Sequence, residues 1–354
     1  MTSSFPTATQ EGSYPLPAAD LLDIGRHTHE IFLNLRGAHI FITGGTGFFG
    51  RWLLESFLHC TKIFSIDAHI SVLTRSPEAF TQNVPHIACH PSVTLVQGDI
   101  RTLTMPTTQY SHIIHGATAA SVSLDQTQPT LMYDTIVQGM ERMLVCLKKQ
   151  DRPTCLFVSS GAVYGTQPAY IRHMPEDETM LAQPLATYSA YAQGKRDAER
   201  LWADTGPIAR CFAFVGPCLP LHGSFAIGNF LRDALHGRTI QIRGDGRPER
   251  SYLYAADLAI WLWTILAKGE RGRPYNVGSE DTLSIADVAS TVAQTFDPPV
   301  PVHIAQKPHP HTSRERYVPS TARAQKELGL RQTTGLSEAI HKTVRWYTEL
   351  QNSP

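Results

Sequence analysis

The chain predicts an α/β fold, a doubly wound parallel sheet with a second, smaller α/β lobe. Three observations carry that expectation. Apolar, strand-like runs alternate with stretches of helical period through the first half. The first such strand ends in a glycine-rich turn, TGGTGFFG, that opens a helix. Beyond residue 215 the alternation breaks into a loop, short strands and separate helices, as suits a lobe closing over the larger sheet.

Residues 1–36 read as a tail and a helix, DLLDIGRHTHEIFLNL. The tail lacks the basic start and apolar core of a secretory signal. AHIFIT is then a strand, and GGTGFFGRWLLESFLHC a tight turn running into an amphipathic helix. HISVLT is the second strand. It stops at RSPEAF, where Ser76 can cap a helix, Pro77 can take its first turn and Glu78 suits its dipole. VTLVQGD and HIIHGA are the third and fourth strands, LMYDTIVQGMERMLVCLKK is a helix, and TCLFVSS is the fifth strand. A helix through YAQGK follows, and these elements form one unit, 37–215. The lobe, 216–354, reads as a loop and helix in GPCLPLHGSFAIGNFLRDALHG and a short strand in TIQIRG. Ser284 and Ser337 are expected to open its last two helices. The longest apolar stretch, LAIWLWTILA at 258–267, is too short to span a bilayer and reads as a buried helix that Asp257 caps. Its surroundings, 252–278, are expected to return to the first unit.

With 354 residues, 42% apolar and 18% charged, the chain can bury a sizeable core. Lys plus Arg equal Asp plus Glu at 31 each, so no general field draws it to nucleic acid or an anionic membrane. The six cysteines, at 60, 89, 146, 155, 211 and 218, form no C-x-x-C pair and lie in apolar segments. They read as buried, reduced thiols of a cytoplasmic protein. His309-Pro310-His311 reads as loop, and no metal site is expected.

The glycine turn carries chemistry. Gly44, Gly47 and Gly50 lie between a strand and a helix, where a missing Cβ allows a sharp turn and close approach of a pyrophosphate to the helix N-terminus. The alternative is a turn that serves only helix–strand packing. The second strand should then choose the dinucleotide. It ends at Thr74-Arg75, which leans towards the 2′-phosphate of NADP; Asp67 would favour NAD if the strand were KIFSID instead. Asp99, closing the third strand, can reach an adenine or cap the next turn.

Tyr191 and Lys195 in YAQGK share one face of a helix, one turn apart. SSGAVYG, 159–165, follows the fifth strand, so Ser160 would face a cleft beyond the strand ends. A nearby ammonium and the cationic nicotinamide ring would favour the phenolate, pulling Tyr191 down towards neutrality and letting it take a proton from a substrate hydroxyl. Ser160 would hydrogen-bond the same oxygen.

Together TGGTGFFG, GDI, SSGAVYG, YAQGK, RCFAFVGP, GDGRPERSYLYAADLA and YNVGS resemble the extended short-chain dehydrogenases/reductases, in the branch of NAD-dependent epimerases and dehydratases that modify nucleotide sugars. The resemblance runs from about Gly37 to about Trp346. It implies a Rossmann domain with a substrate-binding lobe, and Ser160, Tyr191 and Lys195 as catalytic residues. It implies cofactor contacts, to NAD or NADP, from Gly44, Gly47, Phe48, Phe49, Gly50, Thr74, Arg75, Asp99, Ile100, Ala117, Tyr191, Lys195 and Phe214. Substrate contacts would come from Ser160, Gly161, Asn229 and Arg250, the last gripping a diphosphate. It further implies a homodimer built from helices near 131–149 and 187–203.

The departures bear on the reaction. Dehydratases of this kind carry an Asp-Glu pair after the catalytic hydroxyl residue, and decarboxylating relatives a Glu; here Gly161 and Ala162 stand instead. Ala213 replaces a substrate-holding Asn, and Ser251 stands where Asp is usual. The expectation is therefore a hydride-moving enzyme acting at a sugar carbon, C4. It works either as a redox-neutral epimerase or as an NADPH-dependent 4-ketosugar reductase. Reduction of some other small carbonyl and a non-catalytic dinucleotide-binding scaffold are the alternatives.

Overall fold

The computed structural model describes residues 14–117, 125, 127–177, 189–223, 225–307 and 314–351. Tyr188 and the His309-Pro310-His311 segment lie outside these residues. The first unit contains α1 (Ala18–Leu33), β1 (His39–Thr43), α2 (Phe48–Ile63), β2 (His69–Thr74), α3 (Pro77–Asn83), α4 (Pro85–Ala88), β3 (Val93–Gln97) and β4 (His112–His115). It continues through α5 (Pro129–Leu147), β5 (Thr154–Ser160), α6 (Ala190–Trp202), β6 (Ile208–Cys211) and β7 (Phe214–Val215). The second half holds α7 (Ala226–Leu235), β8 (Ile240–Ile242), β9 (Glu249–Arg250), β10 (Leu253–Tyr254), α8 (Ala255–Lys268) and β11 (Pro274–Val277). After these come β12 (Leu283–Ser284), α9 (Ile285–Gln294), β13 (Val302–Ile304), β14 (Arg316–Tyr317), α10 (Ala322–Leu328) and α11 (Leu336–Gln351).

Seven strands form one parallel sheet in the order β11-β6-β5-β4-β1-β2-β3. Chain order reverses between β1 and β4, which opens a crevice at their carboxyl ends. The inner strands are buried along nearly their whole length, because helices cover both faces: β5 has burial on six consecutive residues. α8 is apolar all round and buried from Ala255 to Leu266, packed against α1 and α2. Its Trp261 and Trp263 are among the largest fully buried side chains, each worth roughly 2–3 kcal/mol of burial. β10 pairs with β7, and β11 adds the seventh strand beside β6, so 253–277 contributes to the large unit.

The lobe is built from β12-β9-β14, β13-β8 and the helices around them. The cap signals were mostly local and readable. Ser76 accepts from Ala79 N, and Ser284 forms a reciprocal capping box with Asp287. Three expectations are corrected. The six thiols are not all buried: Cys89 is exposed and Cys218 half-buried, because each lies in a loop at the end of its element. Ser337 lies inside the first turn of α11, where the Gly335 carbonyl accepts from Ala339 N. Asp257 does not cap α8: its carboxylate accepts from Thr333 N, Thr333 Oγ1 and Thr334 N, and so ties α8 to the segment before α11. Among the described residues no helix is long and apolar enough to cross a membrane.

Candidate active site

The carboxyl edge of the sheet collects the cofactor candidates. Gly44 has φ +77°, and a Cβ there would stand 2.5 Å from the Gly116 carbonyl oxygen. A Cβ at Gly50 would stand 2.2 Å from the Gly45 oxygen, so α2 can lie this close to its own entry turn only with glycine. Gly47 differs. A Cβ there would meet nothing nearer than 3.6 Å, so protein packing does not explain the glycine, while room for a ligand does. No side chain caps α2, whose first N–H groups remain open to an anion. The residues present thus fit a dinucleotide pyrophosphate. Phe48 and Phe49 open α2, and the Phe49 ring packs edge-on against Phe214 at 5.0 Å, joining the turn to β7.

Thr43 locks the glycine turn to the β4 loop. Its hydroxyl accepts from Gly116 N at 3.2 Å and Ala117 N at 3.0 Å, and lies 2.9 Å from His115 Nδ1. With its acceptor capacity so used, the hydroxyl donates to Nδ1, which assigns the His115 proton to Nε2. Burial, helped by the Lys195 charge, pushes His115 down to about 3 and keeps it neutral.

β2 runs through HISVLT, and Asp67 lies before its amino end with a side chain 87% exposed. The KIFSID alternative is thereby corrected: Asp67 is at the opposite edge from the glycine turn. Thr74 and Arg75 end the strand beside Gly98, whose N–H donates to the Thr74 carbonyl. Asp99 accepts from Arg101 N and pairs with the Arg101 guanidinium at 2.9 Å, opening a 3-10 turn at Ile100. The capping alternative is the one formed. Arg101, with a smaller contribution from Arg75, holds the Asp99 carboxyl below its usual range.

The catalytic candidates converge one strand further along. Ser160 ends β5, nearly buried, and its Oγ accepts from Ala162 N at 3.1 Å. Tyr191 and Lys195 lie one turn apart on α6, which Ser189 caps through Ala192 N. Ser160 lies close enough to the Tyr191 phenol to favour its ionised form. Lys195 Nζ donates to the Val158 carbonyl at 2.8 Å, above the Phe157 ring at 4.8 Å, and stands 6.0 Å from the Tyr191 ring centre. The protein's own groups do not lower Tyr191: burial raises the phenol to about 12, with Ser160 opposing. Burial likewise lowers Lys195 to about 8, against the nearby Cys211 and Glu199. The ammonium is aimed at a backbone carbonyl, so the protein's own groups do not make a phenolate.

Behind this pair lies a buried polar network. Ser159, pointing away from Ser160 as strand alternation requires, donates to Glu199 at 2.5 Å. Arg210 forks onto Glu199 and also donates to Tyr164 Oη, which donates to Asn276 Oδ1. Asn276 Nδ2 donates to the Met174 and Ser320 carbonyls, so the network reaches the second half of the chain.

The substrate candidates divide. Gly161 is buried beside Ser160. Arg250 is register partner to Tyr317 in the β9–β14 pair and is paired with Glu315 at 3.5 Å. Its charge slightly favours the ionised Tyr317 phenol, against burial. Asn229 is held inside α7's own surroundings, donating to the Gly223 carbonyl and accepting from Arg232. Sequence reasoning missed three groups. Asp125 accepts from Tyr191 N at 2.9 Å; His115 backs the Lys195 site; and the Tyr317 hydroxyl lies over the turn after Ser160, 2.7 Å from where a Gly161 Cβ would stand. Only the histidine closing HIIH offered any local signal, because the other two contacts depend on distant chain segments meeting.

Comparisons with known proteins agree with this fold. The UDP-glucuronic acid decarboxylase 2 of Arabidopsis thaliana is 26% identical over 322 residues, covering 88% of this chain and 69% of the relative. Decarboxylase 3 of the same plant is 28% identical over 309 residues, covering 85% and 86%. Among solved structures, the UDP-glucose 4-epimerase of Thermotoga maritima superposes with TM-score 0.72 at 20% identity, covering 88% of this chain and 99% of that one. A dTDP-glucose 4,6-dehydratase of Streptomyces venezuelae with NAD bound gives 0.70 at 23%, covering 88% and 97%. The family model described as NAD dependent epimerase/dehydratase matches residues 40–278, and the chain belongs to that family.

Proposed function

We propose that the chain is an NAD-dependent nucleotide-sugar epimerase/oxidoreductase that moves hydride at C4 of the sugar. The observation that carries this reading is the meeting of Ser160, Tyr191 and Lys195 at the carboxyl edge of β5, beside the open N-terminus of α2. The dinucleotide, when bound, supplies the hydride acceptor and a positive ring that favours a phenolate. Tyr191 accepts the proton of the sugar hydroxyl, and Ser160 holds the oxygen as it becomes a carbonyl. Lys195 orients the nicotinamide ribose, and Arg250 grips the diphosphate. The named relatives include decarboxylases and dehydratases. The Gly161-Ala162 turn carries no carboxylate for either reaction, which favours the redox-neutral epimerase.

The second reading is an NADPH-dependent 4-ketosugar reductase, favoured by Arg75 at the end of β2. We also propose a homodimer through α5 and α6, where Leu131, Val145 and Leu201 are exposed at 37–45%, and a cytoplasmic location for its six free thiols. The deciding experiment denatures fresh protein and identifies the released nucleotide. Tightly held NAD supports a cofactor recycled in place, hence the epimerase. An empty protein that prefers NADPH to NADH supports the reductase. Neither bound nor bindable dinucleotide overturns both.

A further inference from the structure

The turn after Ser160 offers no acid, yet the space above it is filled. A Cβ added at Gly161 would stand 2.7 Å from the Tyr317 hydroxyl and 2.8 Å from the Phe212 ring. Tyr317 lies on β14, more than 150 positions along the chain, and reaches the site because β14 pairs with β9 in register, Tyr317 opposite Arg250. Its ring lies tilted against Phe212 at 4.6 Å, which holds the hydroxyl over the turn after Ser160. The Ser160 hydroxyl has one proton and two lone pairs, and Ala162 N occupies one lone pair. One lone pair and one proton are left to serve a sugar hydroxyl that enters between Ser160 and the two phenols.

We propose that Tyr317 is a further active-site residue, a phenol delivered by the lobe to the reacting sugar oxygen beside Ser160 and Tyr191, and that Gly161 is glycine to admit it. The inference rests on the hydride-transfer reading above. Burial raises the Tyr317 phenol, so at neutral pH it is a hydrogen-bond donor and not a second base. It therefore steadies negative charge on the oxygen while Tyr191 handles the proton. It also makes the site complete only when the lobe is seated, since Tyr317 and Arg250 arrive on paired strands.

Tyr317→Phe tests this, because it keeps the ring stack on Phe212 and removes only the hydroxyl. NAD-loaded protein is assayed with UDP-glucose, dTDP-glucose and UDP-glucuronic acid, and binding of NAD and of UDP is titrated separately. The expected result is a loss of kcat on the order of 10²-fold, with NAD affinity, UDP affinity and unfolding midpoint unchanged. Gly161→Ala should give a comparable loss by pushing the hydroxyl off Ser160, and it decides the matter if Tyr317→Phe does not fold. An unchanged kcat in the folded variant overturns the inference and leaves the hydride-transfer reading standing. Wild-type protein that turns over none of the three sugar nucleotides overturns that reading, and the inference with it.

Discussion

Tyr191 shows how little a motif says about the state of its residues. The sequence places a phenol and an ammonium one turn apart, and α6 delivers them so. Burial then sets their chemistry against the simple expectation: the phenol rises to about 12 and the ammonium falls to about 8. Ser160 opposes that rise, and the proposed role of Tyr191 as base needs the further charge that a bound dinucleotide would bring. Tyr191→Phe should therefore lower kcat by roughly 10²–10⁴-fold and leave NAD affinity nearly unchanged, as read by turnover and fluorescence titration. Tyr188→Phe should be much milder. Comparable losses in the two variants would reassign the base.

At the scale of elements, the turn between β1 and α2 separates two uses of glycine. Gly50 is required by the fold: a Cβ would collide with the Gly45 backbone at 2.2 Å, and backbone cannot give way as a side-chain tip can. Gly47 is open by that measure, with 3.6 Å to its nearest neighbour. Gly50→Ala should thus lower stability by several kcal/mol, on the order of an overpacked core site, and lose NAD with it. Gly47→Ala should keep the unfolding midpoint yet weaken NAD by about tenfold or more, since the methyl enters the space left for the pyrophosphate. Thermal melts and NAD titrations on both variants check this. A Gly47→Ala protein that binds NAD normally would return the turn to a packing role. The Glu199–Arg210 pair binds elements in another way. With Ser159, Tyr164 and Asn276 it fastens β5, α6, β6 and β11 behind the catalytic edge, so removing one partner would strand a buried charge.

For the whole molecule, what the sequence revealed was what neighbours along the chain decide. The alternation of β1 to β5 with helices, the TGGTGFFG turn and the i, i+4 placement of Tyr191 and Lys195 are local patterns, and all are present. Asp257 and Tyr317 were not legible, because one serves Thr333 and the other reaches the turn at Gly161, across 76 and 156 positions. Buried titratable groups share that character, and they set how the fold responds to acid. His115 is the clearest case. It stacks on Phe157 and Trp202, holds the Thr43 hydroxyl, and is driven from 6.5 to about 3 mainly by burial. Above pH 6.5 the ring is neutral in both folded and unfolded chains. As pH falls from there towards 3, the unfolded chain binds a proton that the folded one refuses, so stability is lost across that window. At pH 5 the loss from this group alone is about 2 kcal/mol relative to pH 7, from about 1.4 kcal/mol per unit below the unfolded value. His115→Phe keeps the stacked ring and removes the titration. It should be less stable than wild type at pH 7, because Thr43 loses its acceptor, yet fall by about 2 kcal/mol less between pH 7 and pH 5 in urea unfolding. Equal falls in the two proteins would mean that His115 is already protonated in the folded chain, and the lock between the glycine turn and the β4 loop would have to be held by something else.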